Sequence, residues 1–278
     1  MHLKLSKLLS NVLPALALSL VALASTPASA QTAESYWQGV QKAGVLRCGA
    51  AVAPPYIMRN PSTGEYSGFF ADLCREFATM LKVKPQFVDT TWDSIVAGLQ
   101  AGKWDVSLAL SRTPTRAMAI QFSSAAMHYQ ISMVYDKTNK KVPSGLKSVA
   151  DIDKAGITVA VMSGTSQDKA LSAVMTKATI LRLPSNDETR LALKAKRADL
   201  LADASDTNQL LVQSNPDWAV VFNPTPPLAK FGVAFGLPKH LSYSDVEVVN
   251  IFVDDKVATG AVDGYIRKAV DEVLKATK

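Results

Sequence analysis

Two rhythms of apolar residues alternate along this chain. Val45-Leu46-Arg47-Cys48-Gly49-Ala50-Ala51-Val52 has the composition of a strand, and Ala53-Pro54-Pro55-Tyr56 ends it. Proline fixes φ and removes a ladder donor, so a central strand stops there. Asn60 to Gly64 is turn chemistry. From Phe70 to Leu81 the spacing becomes helical, with Leu73, Phe77 and Met80-Leu81 on one face. Pro85 to Asp89 reads as a short strand. Trp92 to Ala101 reads as a helix with Ile95, Val96 and Leu99 inward and Gly102 just past its end. Trp104 to Leu110 is the next strand. Strand, helix, strand, helix, strand predicts a parallel sheet with helices on its faces. Ligands in such sheets sit beyond the carboxyl ends of the strands. That singles out two loops, Ala53 to Tyr56 and Ser111 to Arg116.

The same alternation starts again near Ile157. Ile157 to Met162, Ala178 to Leu183, Ala198 to Ala202 and Trp218 to Phe222 read as strands. A helix from Gln167 follows Ser163-Gly164-Thr165-Ser166, and another runs from Asp187 to Ala195 with Asp187 available as its cap. The end of the chain differs. Phe231 to Leu237 reads as a strand, and Asp245 to Val257 and Ala261 to Lys275 as helices. Val262, Ile266, Val270, Val273 and Leu274 form an apolar stripe on the last one. These two helices need a core to cover, and the first strand set is the simplest one for them to return to.

The amino terminus follows neither rhythm. Lys4 and Lys7 precede an apolar stretch from Val12 to Ala24, and Ala28-Ser29-Ala30 is a small-residue cleavage site. This is the layout of a secretory signal peptide cleaved after Ala30. The stretch is too short for a comfortable membrane span, and Pro14 interrupts it. No cysteine follows it to carry a lipid. Cleavage leaves 248 of the 278 residues and removes Lys4 and Lys7, so the formal charge falls from +6 to +4. That charge is mild and unclustered, and it carries no nucleic-acid signature. Cys48 and Cys74 are the two cysteines. They read as two buried apolar thiols, with a single bridge as the alternative. No cofactor is implied, and no metal-ligand spacing is present.

The motifs, taken in order, resemble the polar-amino-acid family of extracellular solute-binding proteins, family 3, with the periplasmic binding protein type II fold. Leu46-Arg47-Cys48-Gly49 followed by Pro54-Pro55-Tyr56 resembles the family's opening strand and loop. Gly68-Phe69-Phe70-Ala71-Asp72-Leu73 resembles its helix start. Trp92-Asp93 through Leu99 to Gly102-Lys103-Trp104-Asp105, Thr113-Pro114-Thr115-Arg116 before Phe122-Ser123, Ser163 to Ser166, and Arg197-Ala198-Asp199 follow in the family's order. The resemblance covers essentially the whole mature chain. It implies an α/β fold of two lobes, each a mostly parallel sheet flanked by helices, joined by two crossover strands. Residues 31–135 and 231–278 would form lobe 1, and residues 136–230 lobe 2.

The resemblance also implies a site. A free amino acid presents a carboxylate and an ammonium on one carbon. Arg116 matches the position that meets the carboxylate, for which the fork of guanidinium N–H groups is suited. Ser111 supplies a hydroxyl and nearby backbone. Thr165 and Ser166 stand where a strand turns into a helix, and N–H groups at such a terminus suit a carboxylate; capping is their other role. Asp203 is the candidate partner of the ammonium and Asp206 the second candidate, since Ala204 occupies the ungapped position. Trp92 and Tyr56 complete the ligand-contacting set. Arg112 is an extra cation that either reads a side-chain acid or faces water. The implied function is non-enzymatic: a monomeric periplasmic component of an ABC importer captures a small amino acid or related carboxylate by hinge closure and presents it to the membrane permease. The alternatives are a cyclohexadienyl dehydratase-like enzyme on the same fold and a stand-alone ligand-sensing subunit.

Overall fold

The computed structural model describes residues 34–276, so the signal segment, its cleavage after Ala30 and the absence of a lipid-bearing cysteine lie outside the described residues. The chain opens with α1 (Tyr36–Ala43), followed by β1 (Val45–Ala50), β2 (Met58–Arg59), β3 (Tyr66–Ser67), α2 (Phe69–Met80) and β4 (Lys84–Asp89). Next come α3 (Ile95–Gln100), β5 (Val106–Ser111), α4 (Pro114–Ala119), β6 (Gln121–Phe122) and β7 (Met127–Asp136). The second run is β8 (Thr158–Met162), α5 (Ser166–Val174), β9 (Thr179–Leu183), α6 (Asn186–Lys194), β10 (Leu200–Ala204), α7 (Ser205–Ser214) and β11 (Ala219–Phe222). The chain ends with β12 (Lys230–Leu237), α8 (Tyr243–Ala258) and α9 (Ala261–Ala276).

Among the described residues ten strands form one mixed sheet, whose main path is β4-β1-β5-β12-β7-β10-β8-β9. At one end β1 is parallel to β4 and β5. At the other, β8 is parallel to β9 and β10. The antiparallel strands β12 and β7 lie between these two parallel sets. The first part of β7, Met127 to Gln130, pairs with β12, and its second part, Ile131 to Asp136, pairs with β10 and β11. Because β7 and β12 pair with each other as well as with both sides, the sheet is continuous where two separate sheets were expected. Glu34–Lys278 accordingly makes one compact unit.

Period-two alternation sends the strands' side chains to opposite faces. In the second parallel set, Val159, Val161, Leu200 and Ala202 pack with Leu171 on one face. Ala160, Leu201 and Val134 pack with Leu193 and Leu211 on the other. In the first set, Leu46 and Leu108 share a core with Leu73 and Phe77 of α2. Val249, Phe252 and Val253 of α8 and Val262 and Ala269 of α9 belong to that same core, which gives the terminal helices their apolar partner. Ile95, Leu99, Trp104 and Leu110 fill the opposite face. Among the described residues no helix is long and apolar enough to cross a membrane.

Several local expectations are corrected. Cys48 and Cys74 are bonded to each other, not separate thiols. Packing of α2 against β1 brings both into the one buried core, a proximity that sequence spacing does not encode. Asp187 is not the cap of its helix; Ser185 is, accepting from the Glu188 N–H at 3.2 Å, and Asp187 sits in the first turn. The helix expected from Trp92 starts at Ile95, which leaves Trp92 in the preceding turn. The ten-residue β7, and helices α1, α4 and α7, carry patterns that the periodicity did not mark as elements.

Candidate functional site

The carboxyl ends of β1, β5, β8 and β10 converge on a cavity of about 40 Å³, room for about three waters. Ser111, Arg116, Thr165, Ser166, Asp203, Trp92 and Tyr56 all line it. Asp206 does not; its carboxylate accepts from the Tyr56 hydroxyl at 2.8 Å, behind the wall. Arg112 is exposed and also lies outside the lining.

Arg116 is placed by local chemistry. Thr113 caps α4, accepting from the Arg116 N–H, and Pro114 opens the helix at its first position, where no intrahelical donor is needed. The first turn of α4 therefore carries Arg116 inward, where it is 7% exposed. Its guanidinium donates to the Ser111 carbonyl at 3.3 Å and to the Gly164 carbonyl at 3.4 Å. Both bonds are long, and no acidic side chain pairs with it among the described residues. Burial pulls its pKa down from the usual arginine value, the direction expected for a cation lacking a counter-charge.

The strand leading to Ser111 carries an irregularity in its pairing with β12. Between Ser107 and Leu110, β5 advances three residues while β12 advances two, from Gly236 to Ala234. Ala109 absorbs this bulge at φ +56°, a left-handed conformation that costs an L-residue roughly 1–2 kcal/mol. Opposite stands the start of α5. Gly164 has φ +73°, and a Cβ there would lie 2.7 Å from the backbone nitrogen of Asp93. Only glycine permits this approach of the α5 turn to the start of α3.

Thr165 caps α5: its hydroxyl accepts from the Asp168 N–H at 3.2 Å and donates to the Met162 carbonyl at 2.7 Å. What Thr165 and Ser166 leave for a ligand is the helix terminus with its free N–H groups. The Ser166 hydroxyl lies 2.8 Å from Ser111 Oγ and 3.0 Å from the Tyr129 hydroxyl, and Ser111 Oγ lies 2.9 Å from Tyr129. The three hydroxyls thus form a closed ring joining β5, β7 and α5.

Asp203 is 8% exposed at the end of β10. Its Oδ1 accepts from the Ala204 N–H at 2.7 Å and from Gln167 Nε2 at 3.1 Å; its Oδ2 accepts from Asn186 Nδ2 at 2.7 Å. Burial pushes its pKa up to about 6, while the Ala204 and Gln167 donors oppose that rise. At neutral pH the group is chiefly a carboxylate. Trp92 is half-buried, with its indole N–H donating to the Val52 carbonyl at 3.3 Å, so its ring forms part of the cavity wall.

Sequence reasoning missed Tyr129, Gln167 and Asn186. Tyr129 is in the strand that the periodicity overlooked, although Tyr129, Ile131 and Met133 alternate as strand residues do. Gln167 and Asn186 sit in the first turns of α5 and α6 and hold Asp203 from the side. A polar residue at a helix start reads as capping, so nothing in the sequence distinguishes them.

With this geometry in hand, comparison with known proteins is specific. The model of the bacterial extracellular solute-binding proteins, family 3, matches residues 46–277, and the chain belongs to that family. A probable amino-acid ABC transporter periplasmic-binding protein of Sinorhizobium fredii is 31% identical over 216 residues, covering 74% of this chain and 70% of that one. The cyclohexadienyl dehydratase of Pseudomonas aeruginosa is 23% identical over 254 residues, covering 89% of each. Among solved structures, an ancestral amino acid-binding protein described as a precursor of cyclohexadienyl dehydratase is 28% identical. It superposes with a TM-score of 0.75 over 85% of this chain and 100% of that one.

Proposed function

We propose that this chain is the periplasmic amino-acid-binding component of an ABC importer, and that it closes by a hinge on a free amino acid or related carboxylate. In this reading residues 31–135 and 231–278 form one lobe, residues 136–230 form the other, and β7 and β12 are the crossovers. The signal segment is removed after Ala30, and the monomer presents its closed form to the membrane permease. The observation that carries the reading is Arg116, a buried guanidinium with two long carbonyl contacts and no acid partner among the described residues. A carboxylate in the cavity would give it paired, charge-assisted bonds. Asp203, on the same cavity, is the acceptor for an ammonium. The contacts across the cavity support closure: Ser111 to Ser166, Tyr56 to Asp206, and Thr207 to the Pro54 carbonyl at 3.2 Å. A ligand that engages Arg116 and the α5 terminus together shifts the population toward the closed form.

Calorimetry with a panel of amino acids tests this. Arg116→Ala should weaken binding roughly 100-fold or more, the cost of removing one partner of a buried charge pair. Unchanged affinity would remove Arg116 from the carboxylate role. The dehydratase reading has one observation in its favour, a cavity carboxyl with a pKa raised to about 6, suited to a general acid. Three N–H donors converge on that carboxylate and favour its ionised form, which argues for an acceptor. Aromatic product formed at catalytic rates from prephenate or arogenate would overturn the binding reading.

A further inference from the structure

We infer that Arg190 is a positioning residue of the site: placed on α6 outside the cavity, its charge keeps the Asp203 carboxylate ionised and open to the ligand's ammonium. The inference rests on the amino-acid reading above. Asn186 and Arg190 stand one turn apart on α6, so their side chains share a face. Asn186 shows where that face is turned, because its Nδ2 donates to Asp203 Oδ2 at 2.7 Å. Arg190 is half-buried, and its Nε is a buried donor without a hydrogen-bond partner among the described residues. It also forms no ion pair among them, although Asp187 lies three residues earlier on the same helix. Its outer side meets a groove between α6 and α7, which it shares with the like-charged Lys194. A buried donor left unpaired costs stability. What Arg190 brings to this place is its charge.

The lack of direct contact matters. A cation bonded to Asp203 would occupy the oxygens that an ammonium needs. A cation set further back biases the proton equilibrium through low-dielectric protein and leaves the cavity side open. Burial pushes the Asp203 pKa up to about 6; the Ala204 N–H and then the Arg190 charge pull it back. Asp206, at the start of α7, pushes the other way. Tyr56 and Tyr129 face Asp203 from the loop after β1 and from β7, and burial raises both phenols above their ordinary value, so they stay neutral near pH 6. Arg116 lines the same cavity and is assigned to the ligand's carboxylate. Arg190 is thus the cation that offsets Asp206 where two carboxyls share buried surroundings.

A carbon-13 NMR titration of the side-chain carboxyls in ligand-free protein, with the Asp203 signal identified by its loss in Asp203→Asn, tests the inference. Arg190→Met should raise the Asp203 midpoint by about one pH unit, while Arg190→Lys keeps the charge and the wild-type midpoint. An unmoved midpoint in Arg190→Met, or in Arg190→Gln should the first variant not fold, overturns the inference. Calorimetry with glutamine, glutamate, histidine, lysine and arginine as probes gives the second readout. For the probe that wild type binds tightest, Arg190→Met should bind within about threefold of wild type at pH 8.5 and about fivefold more weakly at pH 6. An equal loss at both pH values makes Arg190 a structural residue only and overturns the inference. A raised midpoint with wild-type affinity that ignores pH overturns the ammonium contact of the amino-acid reading, and leaves the hold of Arg190 on Asp203 standing.

Discussion

Arg47 and Arg116 are both drawn toward buried surroundings in this protein, and their surroundings differ in kind. Arg47 grips Asp105 in a two-point pair, Nη2 to Oδ1 at 2.6 Å and Nε to Oδ2 at 3.1 Å, and also donates to the Gly102 carbonyl at 2.9 Å. Tyr36 and the Arg47 backbone N–H complete the shell of that carboxylate at 3.0 and 2.8 Å. The Asp105 bond raises the Arg47 pKa. Arg116 has no such partner, and burial lowers its pKa. A guanidinium fully engaged within the fold holds structure together. One left with spare donors on a cavity wall costs stability, and a bound anion is what offsets that cost. The same residue type thus marks scaffold in one place and recognition in the other.

This contrast can be broken at either side. Asp105→Ala should have the largest effect, a loss of about 3 kcal/mol in denaturant unfolding; the estimate is at the low end for a buried pair because the outer edge of Arg47 can rehydrate. Arg116→Ala, by contrast, should leave unfolding unchanged or slightly improved while ligand affinity collapses. If the two variants lost stability equally, the division into scaffold and recognition would fall.

Gly164→Ala comes next. The added Cβ meets the Asp93 backbone and must sit at φ +73°. It should displace the α5 turn from Arg116 and weaken ligand binding about tenfold, with strain of roughly 1–2 kcal/mol. Affinity equal to wild type would show that the close approach is not needed for binding.

The smallest effect is on pH. Burial lifts the Asp203 pKa to about 6. An acid whose pKa is raised on folding destabilises the fold when ionised, and protonation relieves this as pH falls through 6 toward its ordinary range. An ammonium needs the ionised form. Affinity should therefore be level above about pH 7, begin to fall near pH 6 and be down about tenfold by pH 5 in titrations at fixed ionic strength. Asp203→Asn should bind weakly and without this dependence; a retained slope would place the titrating group elsewhere.

Much of the site was legible along the chain. Thr113-Pro114-Thr115-Arg116 marked Arg116 through its resemblance to a family motif, although α4 itself was not foreseen, and Ser163-Gly164-Thr165-Ser166 announces the turn into α5. Such motifs encode backbone geometry within a few residues, and local propensity dominates at that range. Strands with strong alternation were equally clear. The elements missed were those whose pattern is diluted: β7 changes partner in mid-strand, and α7 begins directly at the end of β10.

What the sequence determined by itself was the alternation of strand and helix, the loops at the strand ends, and a family's motifs in order. The tertiary structure decided what those loops meet. It joined Cys48 to Cys74, turned Asp206 onto Tyr56 and Asp203 into the cavity, and closed the ring of Ser111, Tyr129 and Ser166. Each of these contacts links residues far apart along the chain. Local preferences act over a turn of helix or a short strand, whereas which carboxylate stands free and which arginine lacks a partner is settled only when the two parallel sets are brought together through β7 and β12.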